Sequence, residues 1–254
     1  MKTIPSRRPL KEQTAQKANE HLSEAGLRFL RGLARHNDRV WFEERRAVYE
    51  RELRQPMLAI LATVTEAMAS FAPAHVRPPE KSLMRIYRDT RFSSDKRPYK
   101  NHVAAWWTRR GLEKTSGAGF YFHVSGKELL IAAGVYMPQP PQLLALRRFL
   151  LEHHADYRRL IEARPLRWLF TPDEGMPLTR APKGFPCEHP AEALVRQRQW
   201  GVHATLPAVR ASDPTFAREL VRYFAVAAPL VSLLNTPLVS EEPSQRKASR
   251  KPLF

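Results

Sequence analysis

The spacing of the apolar residues changes period along this chain, and that change confines it to a mixed fold. Leu27, Leu30 and Leu33 recur at helical spacing, as do Trp41, Phe42, Val48 and Tyr49, and the run from Met57 to Phe71. Between Leu83 and Met137 the pattern shortens to strand-length runs bounded by turn residues. Helical spacing returns after Pro140-Pro141. Helices at both ends of a hairpin-linked group of strands argue for one α+β domain with a mainly antiparallel central sheet.

Boundaries follow from caps and prolines. A helix is expected after Ser23. Asn37 or Asp38 can cap a second, and Pro56 either kinks it or begins a third, Met57 to Phe71. Leu83 to Arg88 and Val103 to Thr108 read as strands. Gly119 to Val124 and Leu129 to Met137 read as a hairpin around Ser125-Gly126-Lys127. Helices are expected from Pro140 to about His153 and on to about Ala163. Residues 171–190, with five prolines and two glycines, read as an ordered loop or short edge strands. Ala191 to Arg198 reads as a short helix and Gly201 to Leu206 as a strand, and Asp213-Pro214 opens a last helix to about Leu234. Residues 1–21 and 240–254 are polar and basic without periodicity and read as a disordered arm and tail, which leaves one domain at 22–239.

The chain carries a net charge of +17, and its central body keeps an excess of cations after both ends are removed. A basic body attracts anionic metabolites or nucleic acid. Arginine outnumbers lysine 31 to 11 beside abundant Ala, Leu and Pro, the bias of a GC-rich genome, which explains part of the charge without any partner. The single cysteine, Cys187, excludes an intramolecular disulfide and a multi-cysteine zinc site, and it fits a reducing compartment. The N-terminus lacks the apolar core of a signal peptide, and the proline-containing run Phe224 to Leu234 is too short to span a bilayer. A cytoplasmic location and no membrane partner are expected. No phosphate-cradling glycine loop, nucleophile elbow or zinc-protease helix is present, so neither a cofactor nor a metal is expected.

The strongest candidate site is the segment from Arg85 to Lys100. It packs six cations (Arg85, Arg88, Arg91, Lys96, Arg97 and Lys100) and two carboxylates (Asp89 and Asp95) among Tyr87, Phe92, Pro98 and Tyr99. Arg88 follows an apolar strand face and needs a partner if it is partly inside, which Asp89 or a bound anion can supply. Phe92 is expected to anchor the loop to the core, and Asp95 to bond nearby amides in a turn. Two carboxylates cannot match six cations, so acidic residues elsewhere or a ligand must contribute. Guanidinium groups on a stiff loop form a receptor for phosphate or carboxylate. Lys96, Asp89 and Asp95 are then candidates for proton transfer or charge stabilisation. Arg85, Arg88, Arg91, Tyr99 and Lys100 are candidates for binding, and Arg180 and Lys183 on a second basic loop would complete the pocket if the loops face each other.

This stretch resembles the signature Arg-x-x-Arg-Asp-x-Arg-Phe-x-x-(Asp or Asn)-Lys-x-x-Tyr of a bacterial family of unknown function, also found in fungi. Arg85, Arg88, Asp89, Arg91, Phe92, Asp95, Lys96 and Tyr99 fill its specified places. Phe29-Leu30, Leu33, Asn37, Trp41-Phe42, Arg45 and Tyr49 resemble its N-terminal helices. Gly134 to Pro138 and Arg180 to Phe185 resemble its later blocks, although Ala132-Ala133-Gly134 stands where a more glycine-rich turn is usual. The resemblance covers roughly residues 22–210 and implies no activity.

Three functions are compatible with these residues. The first is a metal-independent pocket for an anionic small molecule, with or without catalysis. The second is a nucleic-acid module, with Trp106-Trp107 beside Arg109 and Arg110 as a stacking platform. In a strand those two rings point to opposite faces, and one at least belongs to the core. In the third, residues 85–100 are an ion-pair network that braces a partner-binding protein. Among the nine histidines, His102 and His123 are expected on neighbouring strands.

Overall fold

The helical N-terminal part folds as its caps dictate. The computed structural model describes residues 19–112 and 115–239, so the basic arm and tail fall almost wholly outside the described residues. Ser23 caps α1 (Glu24–Arg35), its hydroxyl accepting from the Gly26 amide. Asp38 caps α2 (Arg39–Glu44) through the Trp41 amide. The chain continues as α3 (Arg46–Tyr49), one π-helical stretch (Glu50–Arg54) and α4 (Gln55–Phe71). Pro56 follows the π-helical stretch directly, and the backbone stays helical through Arg54 and Gln55, so Pro56 marks a change of bonding pattern inside a continuous helical run rather than a fresh start. A 3-10 turn (Pro73–His75) and α5 (Pro79–Ser82) lead to the sheet.

Five strands form that sheet: β1 (His102–Thr108), β2 (Gly119–Ser125), β3 (Glu128–Val135), β4 (Thr171–Pro172) and β5 (Trp200–Pro207). Their order is β1-β2-β3-β5-β4, and every neighbouring pair is antiparallel. The expected hairpin turns at Ser125, whose hydroxyl accepts from the Lys127 and Glu128 amides. Between β3 and β5 come α6 (Pro140–Glu152), α7 (His154–Glu162), α8 (Arg164–Leu169) and α9 (Glu192–Arg196). Helix α8 was not expected from the pattern; Pro165 in its first turn restarts the helix after Ala163. The chain ends in α10 (Phe216–Val239).

Alternation gives the sheet two different faces. Ala105, Phe122, Ile131 and Ala204 stand in register and are buried, as are Trp107, Phe120, Ala133 and Val202. This face packs on α10, which in turn packs on α4. Phe224 meets the rings of Trp107 and Phe120 at 5.4 and 5.2 Å, and the Trp107 indole donates to Thr65 of α4 at 3.0 Å. Helix α10 runs through Pro229 well past Leu234, so the apolar run expected to be short belongs to a 24-residue helix. Length and composition alone would let it cross a membrane, but half of its most apolar window is buried against the sheet and α4, as in a core helix.

Leu83 to Arg88 is not a continuous strand. Leu83 bridges Ala105 of β1, while Tyr87 bridges Tyr99. The Met84 amide bonds Ala104, whereas Arg88 bonds Pro98, and Lys100 returns a bond to Ile86. The segment changes partner halfway, and that change interrupts the ladder.

Candidate functional site

The charged loop expected to bind an anion pairs three of its six cations with its own two carboxylates. Asp95 accepts from Arg88 Nη1 at 2.6 Å, Arg97 Nη2 at 2.7 Å and the Arg97 amide at 3.1 Å. Asp89 takes both Nε and Nη2 of Arg91, at 3.0 and 2.8 Å. Lys96 Nζ donates to the Thr90 carbonyl and Lys100 Nζ to the Arg85 carbonyl. Arg85 and Lys96 have no ion-pair partner among the described residues. The two carboxylates pair Arg88, Arg91 and Arg97, so the segment keeps an excess of cations that carbonyl contacts do not neutralise. The partner of Arg88 is Asp95 rather than Asp89. In an extended segment adjacent side chains point apart, and the turn brings Asp95 back across.

Two further expectations for this loop change. Phe92 is 96% exposed, because it occupies the turn closed from Thr90 to Ser93, and only the Arg91 guanidinium lies over its ring. Tyr99, expected to meet a ligand, is a core ring stacked 4.2 Å from Phe42. Hydrogen bonds from Arg91 hold the Asp89 carboxyl down at about 2. Those from Arg97, then Arg88, hold Asp95 far below the usual carboxylate range. Carboxylates so weakly basic are poor proton acceptors near neutrality.

Arg180 and Lys183 are exposed on a loop tied to α9, where Leu178 and Arg196 exchange hydrogen bonds. That loop leaves the β4–β5 edge of the sheet. Residues 83–100 adjoin β1, the other edge, four strand spacings or roughly 19 Å away. No hydrogen bond or ion pair between described residues joins the two loops. They share a different feature, because their bases flank one groove.

This groove, of about 660 Å³, lies on the sheet face away from α10. Met84 and Trp106 wall it at the β1 edge, and Asp173 and Gln199 at the β5 edge. Its floor is a register row, Trp106–Tyr121–Ala132–His203. The next row, Thr108–Gly119–Gly134–Gly201, has three glycines side by side. Each is required by close backbone. A Cβ would sit 2.4 Å from Trp107 O at Gly119, 2.3 Å from Trp200 O at Gly134 and 2.7 Å from Ala133 O at Gly201. The result is a trough beside the aromatic row, with Tyr136 and Met137 at its end.

The polar groups of the groove are paired in a directional way. His203 Nδ1 lies 2.6 Å from Asp173 Oδ1. The Asp173 backbone is itself fixed, its amide donating to Gly201. A carboxylate only accepts, so the Nδ1 proton points at Asp173 and Nε2 is left with its lone pair. On β2 the Tyr121 hydroxyl meets His123 Nδ1 at 3.1 Å, and the Glu128 carboxylate lies 3.6 Å from His123 Nε2. The rings of His102 and His123 approach to 4.7 Å. Burial, with His123 and Lys100 nearby, pushes the His102 imidazole down to about 4; burial lowers His123 and raises the Tyr121 phenol to about 12. All three are neutral near pH 7.

A second depression, against His154, Arg158, Arg159 and Glu162, is formed by the surface of α7 and the residue after it, and no other element contributes to it. Among the described residues no group of three or more His, Cys, Asp or Glu is placed to hold a metal ion.

A family profile described as "Conserved hypothetical protein (DUF2461)" matches residues 25–232 of this chain. The chain belongs to that family. No curated protein and no solved structure gives a significant match. The DUF2461 match spans both charged loops, the whole sheet and most of α10, so the groove lies inside the family domain.

Sequence reasoning overlooked the groove. The signal it could have used is the alternation in Gly119–Ser125, where Tyr121 and His123 interleave with the apolar Phe120, Phe122 and Val124. His203 alternates in the same way between Val202 and Ala204. Polar aromatic residues on the second face of a strand mark a face that is not packed on helices. Trp106 and Trp107 divide as expected, Trp107 into the core and Trp106 into the groove, so they do not form a joint stacking platform.

Proposed function

We propose that this DUF2461 protein binds a small, largely apolar molecule in the sheet-face groove and exchanges a proton with it at His203. The observation that carries this reading is the 2.6 Å contact between His203 and Asp173 at the groove wall. It fixes one tautomer and leaves Nε2 as a proton acceptor, the arrangement of an oriented general base. The aromatic and methionine lining gives an apolar surface in the same groove, and the glycine trough gives a flat group access to the floor. On this reading the segment 85–100 braces the β1 flank of the site, and its arginines serve that purpose before any ligand. An anionic ligand on that loop would meet Arg85 and Lys96, which have no ion pair among the described residues.

A fragment set of neutral and charged aromatic molecules, screened by ¹H–¹⁵N correlation spectroscopy, tests the proposal. Bound fragments are expected to shift the amides of Tyr121, Ala132 and His203 and to leave residues 89–97 in place. Ala132→Phe, which fills the floor from an open face, is expected to abolish those shifts. For fragments with an activated C–H, deuterium uptake from heavy water is expected with wild type and not with His203→Gln. Hits confined to residues 85–100, or binding indifferent to Ala132→Phe, would overturn the reading.

A further inference from the structure

The groove has a chemical sign of its own, opposite to that of the whole chain. No lysine or arginine among the described residues lines it, although the protein carries +17 overall. Its charged wall residue among those described is Asp173. Two groups on its floor present lone pairs, and the Trp106 indole N–H, buried without a partner, is its one floor donor among the described residues. His203 spends its Nδ1 proton on Asp173, so Nε2 accepts. The Glu128 carboxylate, 3.6 Å from His123 Nε2, favours a proton on that nitrogen. His123 Nδ1 then accepts from the Tyr121 hydroxyl at 3.1 Å, and the Tyr121 oxygen offers only its lone pairs to the groove. The remaining lining is mostly apolar, with Thr115 and Gln199 as further uncharged polar groups. Trp106 and Tyr121 meet at 5.4 Å with planes 53° apart, forming a corner, while Tyr136 stands at the rim and Met84 and Met137 close the ends.

Resting on the groove reading, we infer that its occupant is an organic amine. The ammonium group lies against Asp173 and His203 Nε2 at the β5 side, and the apolar part extends over the floor towards Tyr121 and Trp106. An anion would meet the Asp173 carboxylate with no cation among the described lining residues to offset it, while the neutral donors of Trp106, Thr115 and Gln199 carry no charge. The distant positive charge of the body does not reverse this. Charges beyond about 8–10 Å are screened at physiological salt, so the groups at the wall decide. Lys100, whose field reaches His102, has its ammonium on the Arg85 carbonyl. His102 and His123 are held neutral by burial and add no positive charge beside the floor.

Three probes with one ring and different charge test the inference: benzylamine, benzyl alcohol and benzoate. Each is titrated at pH 7.5 into the full chain, following the amides of Tyr121, Ala132 and His203. Benzylamine is expected to bind about ten-fold more tightly than benzoate, the scale of attraction for one and repulsion for the other at a single carboxylate. Asp173→Asn, which keeps the backbone bond to Gly201, is expected to shrink that preference several-fold. If benzoate or benzyl alcohol shifts the groove amides with equal or tighter affinity, the amine assignment fails while the groove reading stands. If no probe shifts them up to its solubility limit, the groove reading fails as well.

Discussion

Asn37 grips the backbone of Tyr99 with both ends of its amide. Its Nδ2 donates to the Tyr99 carbonyl and its Oδ1 accepts from the Tyr99 amide, each at 3.0 Å. A residue between two helices thereby acts as one rung of a strand for the exit of the charged loop. The Tyr99 ring is simultaneously fixed against Phe42 of α2. The helical layer and the β1 flank of the groove are joined at this point. Asn37→Ala removes both bonds and leaves two backbone groups of Tyr99 unpaired, which is expected to cost about 2 kcal/mol. Asn37→Asp should do no better, because its carboxylate faces the Tyr99 carbonyl. Urea denaturation of the two variants against wild type checks this.

A glycine in the groove floor carries a larger effect. Gly134 has φ +143°, and a Cβ there would lie 2.3 Å from Trp200 O and 2.5 Å from the Gly201 Cα. These atoms belong to the backbone of the neighbouring strand and cannot move aside singly. Gly134→Ala is therefore expected to cost about 3 kcal/mol or more, by strain and by parting β3 from β5. Gly184 also has positive φ, but its Cβ would meet open space, so Gly184→Ala should cost clearly less. Thermal unfolding of the pair separates close approach from conformation.

How much of this was legible in the sequence depends on the distance over which each feature is decided. Ser23 and Asp38 set helix starts within one turn, and Ser125 sets a hairpin within four residues, so these were readable. The charged loop was found because its residues are contiguous. Its internal pairing was not readable, because charge counting cannot tell that Asp95 serves two arginines at once. The groove floor depends on register. Tyr121, Ala132 and His203 become neighbours only once β2, β3 and β5 are aligned, and Asp173 joins them from a loop. The three-glycine row is assembled by the same alignment. The Gly134 that closes Ala132-Ala133-Gly134, which looked like part of a turn, is a strand position selected by the Trp200 carbonyl.

The loop at 88–97 should depend on Asp95 and not on Phe92. Asp95 links Arg88 and Arg97, whereas Phe92 stands in solvent. Asp95→Ala is expected to speed proteolysis within residues 88–97 several-fold, while Phe92→Ala leaves the melting temperature unchanged. Asp89→Ala, which frees only the exposed Arg91, should fall between them. Limited trypsin digestion with mass analysis, beside thermal unfolding, distinguishes the three.

The groove histidines make stability depend on pH in a defined window. His102 titrates near 4 in the folded protein, against about 6.5 for an unfolded histidine. Between these values the unfolded chain binds a proton that the folded one refuses, so stability is full above pH 6.5 and falls as pH drops towards 4. The slope from one such group reaches at most about 1.4 kcal/mol per pH unit. His123, also lowered, adds to it, while Glu128 opposes the shift there. His102→Asn should flatten the decline between pH 6.5 and 4. Asp89 and Asp95 act below that window, since their depressed titration removes stability only as pH falls further. Urea midpoints at half-unit steps from pH 7 to pH 4 test the assignment.

The pairing of His203 with Asp173 makes a prediction independent of any ligand. A carboxylate 2.6 Å from Nδ1 holds the proton on that nitrogen, because the other tautomer would set a lone pair against a negative oxygen. In wild type the neutral ring is therefore expected as the Nδ1-protonated form, recognised by its ¹⁵N shifts and long-range couplings. Asp173→Ala removes the bias and brings in the Nε2-protonated form, which turns the nitrogen facing the groove from acceptor to donor. Asp173→Asn can restore the original tautomer, since its amide oxygen also accepts. A structural role alone predicts no change of tautomer, and a ring that stays Nδ1-protonated in Asp173→Ala would remove the basis for His203 as the proton acceptor of this site.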